Sequence, residues 1–236
     1  MPTLTPFCTD IDLLHWEPNL LRDAAFVSQT LIAGTGALDG TSFTISAGSL
    51  EDAKVTRDMA IVIGGDVNGC FPITSVDSET ELTLSVLYDR LSTPAADELP
   101  EGVGAAPPPP EAVAIAAAAA PSIAYTIRTF KAQRLIVSEL LAQAAGTDRA
   151  RRNERPATIT SPSALRRPCA LGTLQMIYSA LAAAAGEDAA HFSTRADLYE
   201  RLYRRALRST TVSIDLDGDG EPDVQRALNV LDLQRA

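Results

Sequence analysis

The sequence predicts an α+β protein: a helical bundle with an inserted small antiparallel β module and a C-terminal β-hairpin or extended tail. Three observations carry this. Glycine-punctuated, period-two runs fill residues 31–91. Apolar residues recur at helical spacing across 122–209. An Asp/Gly-rich turn divides two alternating runs after residue 210.

The N-terminal segment, 1–30, reads as helices joining the bundle. Ile11, Leu14 and Trp16 precede Leu20, Leu21, Ala24 and Ala25 near helical spacing, and Pro18 suits the first turn of a second helix. Over 31–91 the texture becomes β. Thr41-Ser-Phe-Thr-Ile45 and Ile73-Thr-Ser-Val76 alternate, and Ala60-Ile-Val-Ile63 reads as a buried strand. Asp77-Ser-Glu-Thr80 is a turn before the period-two run Glu81-Leu-Thr-Leu-Ser-Val86. Four or five short strands make a small sheet or barrel that must lean on something else.

Residues 92–121 predict a Pro/Ala-rich linker, since Pro107 to Pro110 cannot build a helix or a sheet interior. From 122 to 209 the pattern predicts the bundle proper. Ile123, Ile127, Phe130, Leu135, Leu140 and Leu141 mark a helix ending near Gly146. Leu171, Leu174, Ile177, Tyr178 and Leu181 form the stripe of a second, from Ser163 to Ala185, stopped by Gly186. A third starts at Ser193 as a cap and carries Ala196, Tyr199, Leu202, Tyr203 and Ala206. The last segment, 210–236, predicts a hairpin or tail, with Thr211-Val-Ser-Ile214 and Val224, Arg226, Leu228 and Val230 alternating around a turn.

Composition bounds the function. With 236 residues, 46% apolar and 21% charged, the chain is globular. Much of its apolar content is alanine, which suits close helix packing or assembly with other subunits. Residues 1–120 hold 4 Lys/Arg against 17 Asp/Glu, a net of −13, whereas 121–236 hold 16 against 13, a net of +3. An acidic half joined to a mildly basic half suggests regions facing different partners, although two solvated surfaces would read the same. Cys8, Cys70 and Cys169 are too far apart for a zinc motif and odd in number, so free thiols in a reducing cytosol are expected. No signal peptide is recognisable. The longest apolar stretch, Ala112 to Ala120, is nine residues against the roughly 20 of a membrane helix, so no membrane is expected.

One motif could hold a cation. Asp215, Asp217 and Asp219 stand at alternate positions before Gly220, with Asp223 beyond, which resembles the opening of a calcium loop. Calcium takes six to eight oxygens, and alternate carboxylates converge where glycine lets the backbone turn. Position twelve is Arg226 rather than Glu, and a strand precedes the loop, so this is no EF-hand; Asp223 could substitute. An Asp/Gly hairpin turn accounts for the same residues on backbone grounds. No cofactor is required, and Ca²⁺ is the one candidate ion.

Arg149, Arg151, Arg152 and Arg155 fall in a loop, Arg166 and Arg167 open a helix, and Arg195, Arg201, Arg204, Arg205 and Arg208 line the third. Interleaved acids and the lack of flanking aromatics favour solvated faces or ion pairs with a neighbouring subunit over sequence-specific DNA binding. There is no GxSxG elbow and no P-loop. His15 and His191 are the only histidines, with no recognisable nucleophile beside either, so no enzyme is expected.

The order of segments carries a resemblance. Asp10-Ile-Asp-Leu-Leu-His-Trp-Glu-Pro-Asn-Leu-Leu-Arg-Asp23 leads into Gln29-Thr-Leu-Ile-Ala-Gly-Thr-Gly36. Pro72 to Leu84 closes the β module. Tyr125-Thr-Ile-Arg-Thr-Phe130, Ala170 to Tyr178 and Leu198 to Ala206 follow, and Ile214-Asp-Leu-Asp-Gly-Asp-Gly220 comes last. This resembles the head-to-tail adaptor (connector) proteins of tailed bacteriophages, in particular those whose helical bundle carries an inserted β module. The resemblance implies a structural virion protein, made in the host cytoplasm and placed in the neck. There a ring of about twelve copies joins the portal protein to tail or neck proteins around a channel through which DNA passes without sequence-specific binding. It implies no catalytic residues, and a terminal segment, Leu216 to Ala236, available to pair as a strand with the portal. A tail-terminator, another neck protein or a minor capsid protein is the near alternative. A cellular calcium-dependent binding module using 215–223 is the alternative of a different class.

Overall fold

The computed structural model describes residues 5–65, 67–87, 112–115, 119–147, 158–186 and 189–228. Most of the expected linker at 92–121 and the arginines of the 148–157 loop lie outside these residues. By its contacts the chain divides into two compact units, one of residues 9–131 and one of residues 1–8 with 132–236.

The unit of residues 9–131 is built around a closed barrel. Two short helices, α1 (Asp10–Trp16) and α2 (Leu20–Asp23), lead to β1 (Gln29–Asp39), β2 (Ser42–Ile45), β3 (Ala60–Ile63), β4 (Gly69–Val76), β5 (Glu81–Leu84) and β6 (Ala120–Thr129). The order around the barrel is β1-β2-β5-β4-β3-β6, and every neighbouring pair is antiparallel. Closure depends on β1. Its register shifts between Thr30 and Ile32 and between Gly36 and Leu38, so one long strand bends enough to pair with β2 and with β6.

Gly36 fits that bend for a steric reason. A Cβ there would lie 2.5 Å from Phe43 Cζ and 2.7 Å from the Thr44 carbonyl oxygen. The space goes instead to the Phe43 ring, which meets Tyr125 edge-on at 5.2 Å and 72°. Leu38, Ile45, Ile61, Ile63, Ile73, Leu82, Leu84, Ile123 and Ile127 complete the barrel core.

The expected helical bundle with an inserted small β module is therefore overturned: six strands close on themselves, and the sixth comes from residues assigned to the bundle. The stretch 122–129 read as helix because Ile123, Ile127 and Phe130 fit three–four spacing. Ile123, Tyr125, Ile127 and Thr129 also fit a period of two, and all four point into the interior of their unit. Partners decide between the two patterns: β1 on one side and β3 on the other satisfy the backbone of β6 along most of its length. Pro121, which lacks an N–H, sits near the outset of the strand, where its loss matters least. At the far end of the linker, Val113 donates its amide to Ser85 Oγ and accepts from the Val86 amide, and Ile115 donates to the Gly40 carbonyl.

The N-terminal helices belong with this barrel rather than with a bundle. Thr9 caps α1 reciprocally with Asp12, the Asp12 amide donating to Thr9 Oγ1 at 3.2 Å and the Thr9 amide to Asp12 Oδ2 at 2.7 Å. Asp10 is 1% exposed, and its carboxylate accepts from Thr129 Oγ1 at 2.6 Å and from the Phe130 amide at 3.1 Å.

The other unit holds α3 (Lys131–Ala144), of which Lys131 itself falls in the barrel unit, with α4 (Arg166–Ala184) and α5 (Ala189–Ser209). Helices α4 and α5 pack as an antiparallel hairpin, with Tyr178 stacked on Tyr199 at 5.5 Å and 7°. Gly186, at φ +55°, follows the end of α4. Helix α5 begins at Ala189, so Ser193 lies inside it and is not its cap. Gly172 lets the three helices meet: a Cβ there would stand 2.9 Å from Val137 Cγ1 and 3.0 Å from Tyr203 Cε2. A small sheet of order β7-β8-β9 completes the unit, from β7 (Thr158–Ile159), β8 (Thr211–Asp215) and β9 (Val224–Ala227).

Candidate functional site

Three of the four predicted cation ligands come together. The β8–β9 hairpin pairs Thr211 with Ala227 through to Ile214 with Val224, which brings the two ends of the aspartate loop side by side. Carboxylate oxygens of Asp215, Asp217 and Asp223 then lie within 4.8 Å of one another. Asp219 stands apart from this trio and accepts the Glu221 amide at 2.7 Å.

The loop's own backbone accounts for much of the arrangement. Asp215, 4% exposed, accepts the Gly218 amide at 2.6 Å and the Gly220 amide at 2.9 Å. Both glycines have positive φ, +83° and +91°, which turns those amides inward. Asp223 accepts the Leu216 amide at 2.6 Å, and Asp217 accepts the Asp219 amide at 3.2 Å. The Gly218 amide, aided by those of Gly220 and Asp217, holds the Asp215 carboxyl below the usual carboxylate range. Asp217 goes the other way. The Asp219 amide pulls its carboxyl down, but partial desolvation and the carboxylates of Asp219, Asp223 and Asp215 together push it above its usual value.

As a donor set, three carboxylates suit a hard divalent cation such as Ca²⁺, and each oxygen that accepts one amide keeps a second lone pair. Arg226, where an EF-hand carries Glu, does not face the loop at all; its guanidinium donates to the Ala145 carbonyl at 2.9 Å.

The arginines of α5 form the second candidate surface. Arg201, Arg204, Arg205 and Arg208 are all exposed and share one face at three–four spacing, with Arg204 bonded to Glu200. Arg195 is different: it donates to Tyr178 Oη at 3.0 Å and lies 5.5 Å from the centre of that ring, a packing role. Arg149, Arg151, Arg152 and Arg155 lie outside the described residues. On the barrel unit, the exposed carboxylates Glu51, Asp52, Asp77, Glu79 and Glu81 gather at one end. The Leu50 amide donates to the Glu79 carbonyl, joining the loop after β2 to the β4–β5 turn. Lys54 and Arg57 are exposed in the same loop, Arg57 beside Asp58 at 3.6 Å.

The two histidines lie in different units. His15 Nδ1 lies 2.8 Å from the carbonyl of Ile11 in its own helix, and His191 is exposed beside Phe192. Sequence spacing missed one cluster. Cys8 and Cys169 are 161 positions apart, yet their sulfurs lie 2.7 Å from each other, with Ser138 Oγ 3.3 Å from Cys169 Sγ. No linear motif announces a pairing across that separation. Comparison with family models, curated proteins and solved structures gives no match for this chain.

Proposed function

We propose that this chain is a ring-forming structural protein of a tailed-phage neck, a head-to-tail adaptor between portal and tail around a DNA channel. The observation that supports it is the division of charge between the two units. Residues 9–131 hold 6 Lys/Arg against 17 Asp/Glu, a net of −11, and the remainder holds 14 against 13, a net of +1. The acidic end of the barrel and the arginine face of α5 are both exposed and opposite in sign. A chain that carries both suits head-to-tail contact between copies, in which the arginine face of one meets the carboxylate end of the next and rotation closes a ring. A channel walled by a net acidic chain also lets DNA pass without the phosphate contacts that would hold it. Other neck, tail-terminator or minor capsid roles share this chemistry and differ in the partner ring.

The test is particle mass by light scattering for the wild type, for Arg201→Glu/Arg205→Glu/Arg208→Glu, and for that triple variant mixed with Glu51→Lys/Glu79→Lys/Glu81→Lys. Wild type should form a closed oligomer of about twelve copies that weakens with salt. The arginine variant should stay small alone and recover mass in the mixture. An unchanged mass in the arginine variant, or loss of duplex DNA binding in place of loss of mass, overturns the proposed contact.

The approach of Asp215, Asp217 and Asp223 favours a second reading, a calcium-dependent binding module. That reading requires chelation to unfold or disperse the protein.

A further inference from the structure

The buried thiols of the helical unit are placed for a covalent bond. Cys8 is 2% exposed and Cys169 is fully buried within α4, and their sulfurs are 2.7 Å apart, about 0.7 Å beyond the ~2.05 Å of a disulfide. The segment that carries Cys8 is fixed on both sides of the sulfur. The Phe7 amide donates to Ser138 Oγ at 2.9 Å, and Arg134, itself 6% exposed, donates from Nη1 to the Cys8 carbonyl at 2.8 Å. Two backbone anchors on α3 therefore hold a thiol from one end of the chain against a thiol of α4.

We propose that Cys8 and Cys169 form a reversible disulfide that staples the N-terminal segment to the helical unit whenever the surroundings are oxidising. The surrounding chemistry favours Cys169 as the attacking sulfur. The Cys8 thiol hydrogen bond, helped by the Ser138 hydroxyl and the Arg134 charge, outweighs burial and holds Cys169 below the usual thiol range. At Cys70 the balance is reversed: burial outweighs the backbone hydrogen bonds of Arg22 and Leu21 and the Arg22 charge, and pushes the thiol up.

The oxidant is a small-molecule disulfide such as oxidised glutathione. When the segment lifts, the Cys169 thiolate attacks one sulfur of that disulfide, whose S–S bond breaks and releases one thiolate. Cys8 then gives up its proton and attacks Cys169 Sγ, the mixed disulfide breaks, and a second thiolate leaves. Two protein thiols are oxidised, one small disulfide is reduced to two thiols, and no other reactant is needed. This inference does not rest on the adaptor reading.

The experiment is intact mass and peptide mapping of the full chain after incubation with oxidised glutathione, denatured without reductant. The expected result is loss of two hydrogens, one cross-linked peptide pair containing Cys8 and Cys169, and Cys70 still alkylated. Closing so long a loop should lower the unfolding equilibrium constant roughly a thousand-fold, reversed by reductant. Reduced wild type is the reference, so the result does not depend on whether Cys8→Ser folds. Three alkylated cysteines after oxidation, a stable glutathione adduct, or a bridge involving Cys70 would overturn the proposal.

Discussion

Asp10 accepts the Thr129 hydroxyl at 2.6 Å, and with its other oxygen the Phe130 amide at 3.1 Å, so the first residue of α1 holds the last residue of β6. All three groups are buried. Replacing Asp10 with Ala leaves a hydroxyl and an amide without their acceptor, a loss of about 2–4 kcal/mol. Asp10→Asn can still accept one bond and should lose about half as much. Urea unfolding followed by the single tryptophan, Trp16, checks both.

Gly36→Ala should destabilise the barrel by about 1–3 kcal/mol. The new methyl would occupy the place of the Phe43 ring, which must tilt away from Tyr125. A weakened near-ultraviolet circular dichroism signal should accompany the lower unfolding midpoint.

At Gly172 two effects compete. Alanine is favoured over glycine in a helix interior by about 1 kcal/mol. The added carbon, however, meets Val137 and Tyr203 at 2.9 and 3.0 Å, and overpacking costs about 1–3 kcal/mol. Both neighbours are side chains of packed helices with little room to yield, so Gly172→Ala should lower the melting temperature. A rise would mean that α3 and α5 separate freely.

The hairpin should respond to acid through Asp215. Its folded carboxyl titrates below the ~3.9 of an unfolded aspartate. Its stabilisation is therefore complete above that value and disappears as pH falls through the folded one. The protection of the Gly218 and Gly220 amides, relative to free-peptide exchange at the same pH, should fall below about pH 4. Asp217 carries the opposite shift, so Asp217→Asn should leave these amides at least as protected at neutral pH.

Chelation tests the loop in another way. Because amides already satisfy Asp215, removal of calcium should leave the far-ultraviolet spectrum and the particle mass unchanged. Dispersal by chelator would favour the calcium-binding module.

Legibility followed the periodicity. The strands over 73–76 and 81–84 and the hairpin flanks could be read because apolar and polar residues alternate without a competing pattern, and 60–63 because it is a short continuous apolar run. Closure could not. It depends on residues 120–129, whose spacing fits two periods at once, and on a pairing with β1 that spans the linker. The aspartate trio was visible as a motif, whereas the exclusion of Asp219 follows from which amide each carboxylate captures. The Cys8–Cys169 contact left no local trace because its partners are 161 positions apart.

The tie between Asp10 and Phe130 also sets an order of events during synthesis. Residues 5–8 leave the ribosome more than a hundred residues before their partners on α3 and α4. Joining such distant segments costs about 4 kcal/mol of loop entropy in an open chain. A finished barrel removes much of that cost, since Asp10 and Phe130 already hold the two ends of its chain together. The barrel thus acts as an assembly jig: a lesion at Asp10 or Gly36 should also slow the docking of residues 5–8 on α3 and α4.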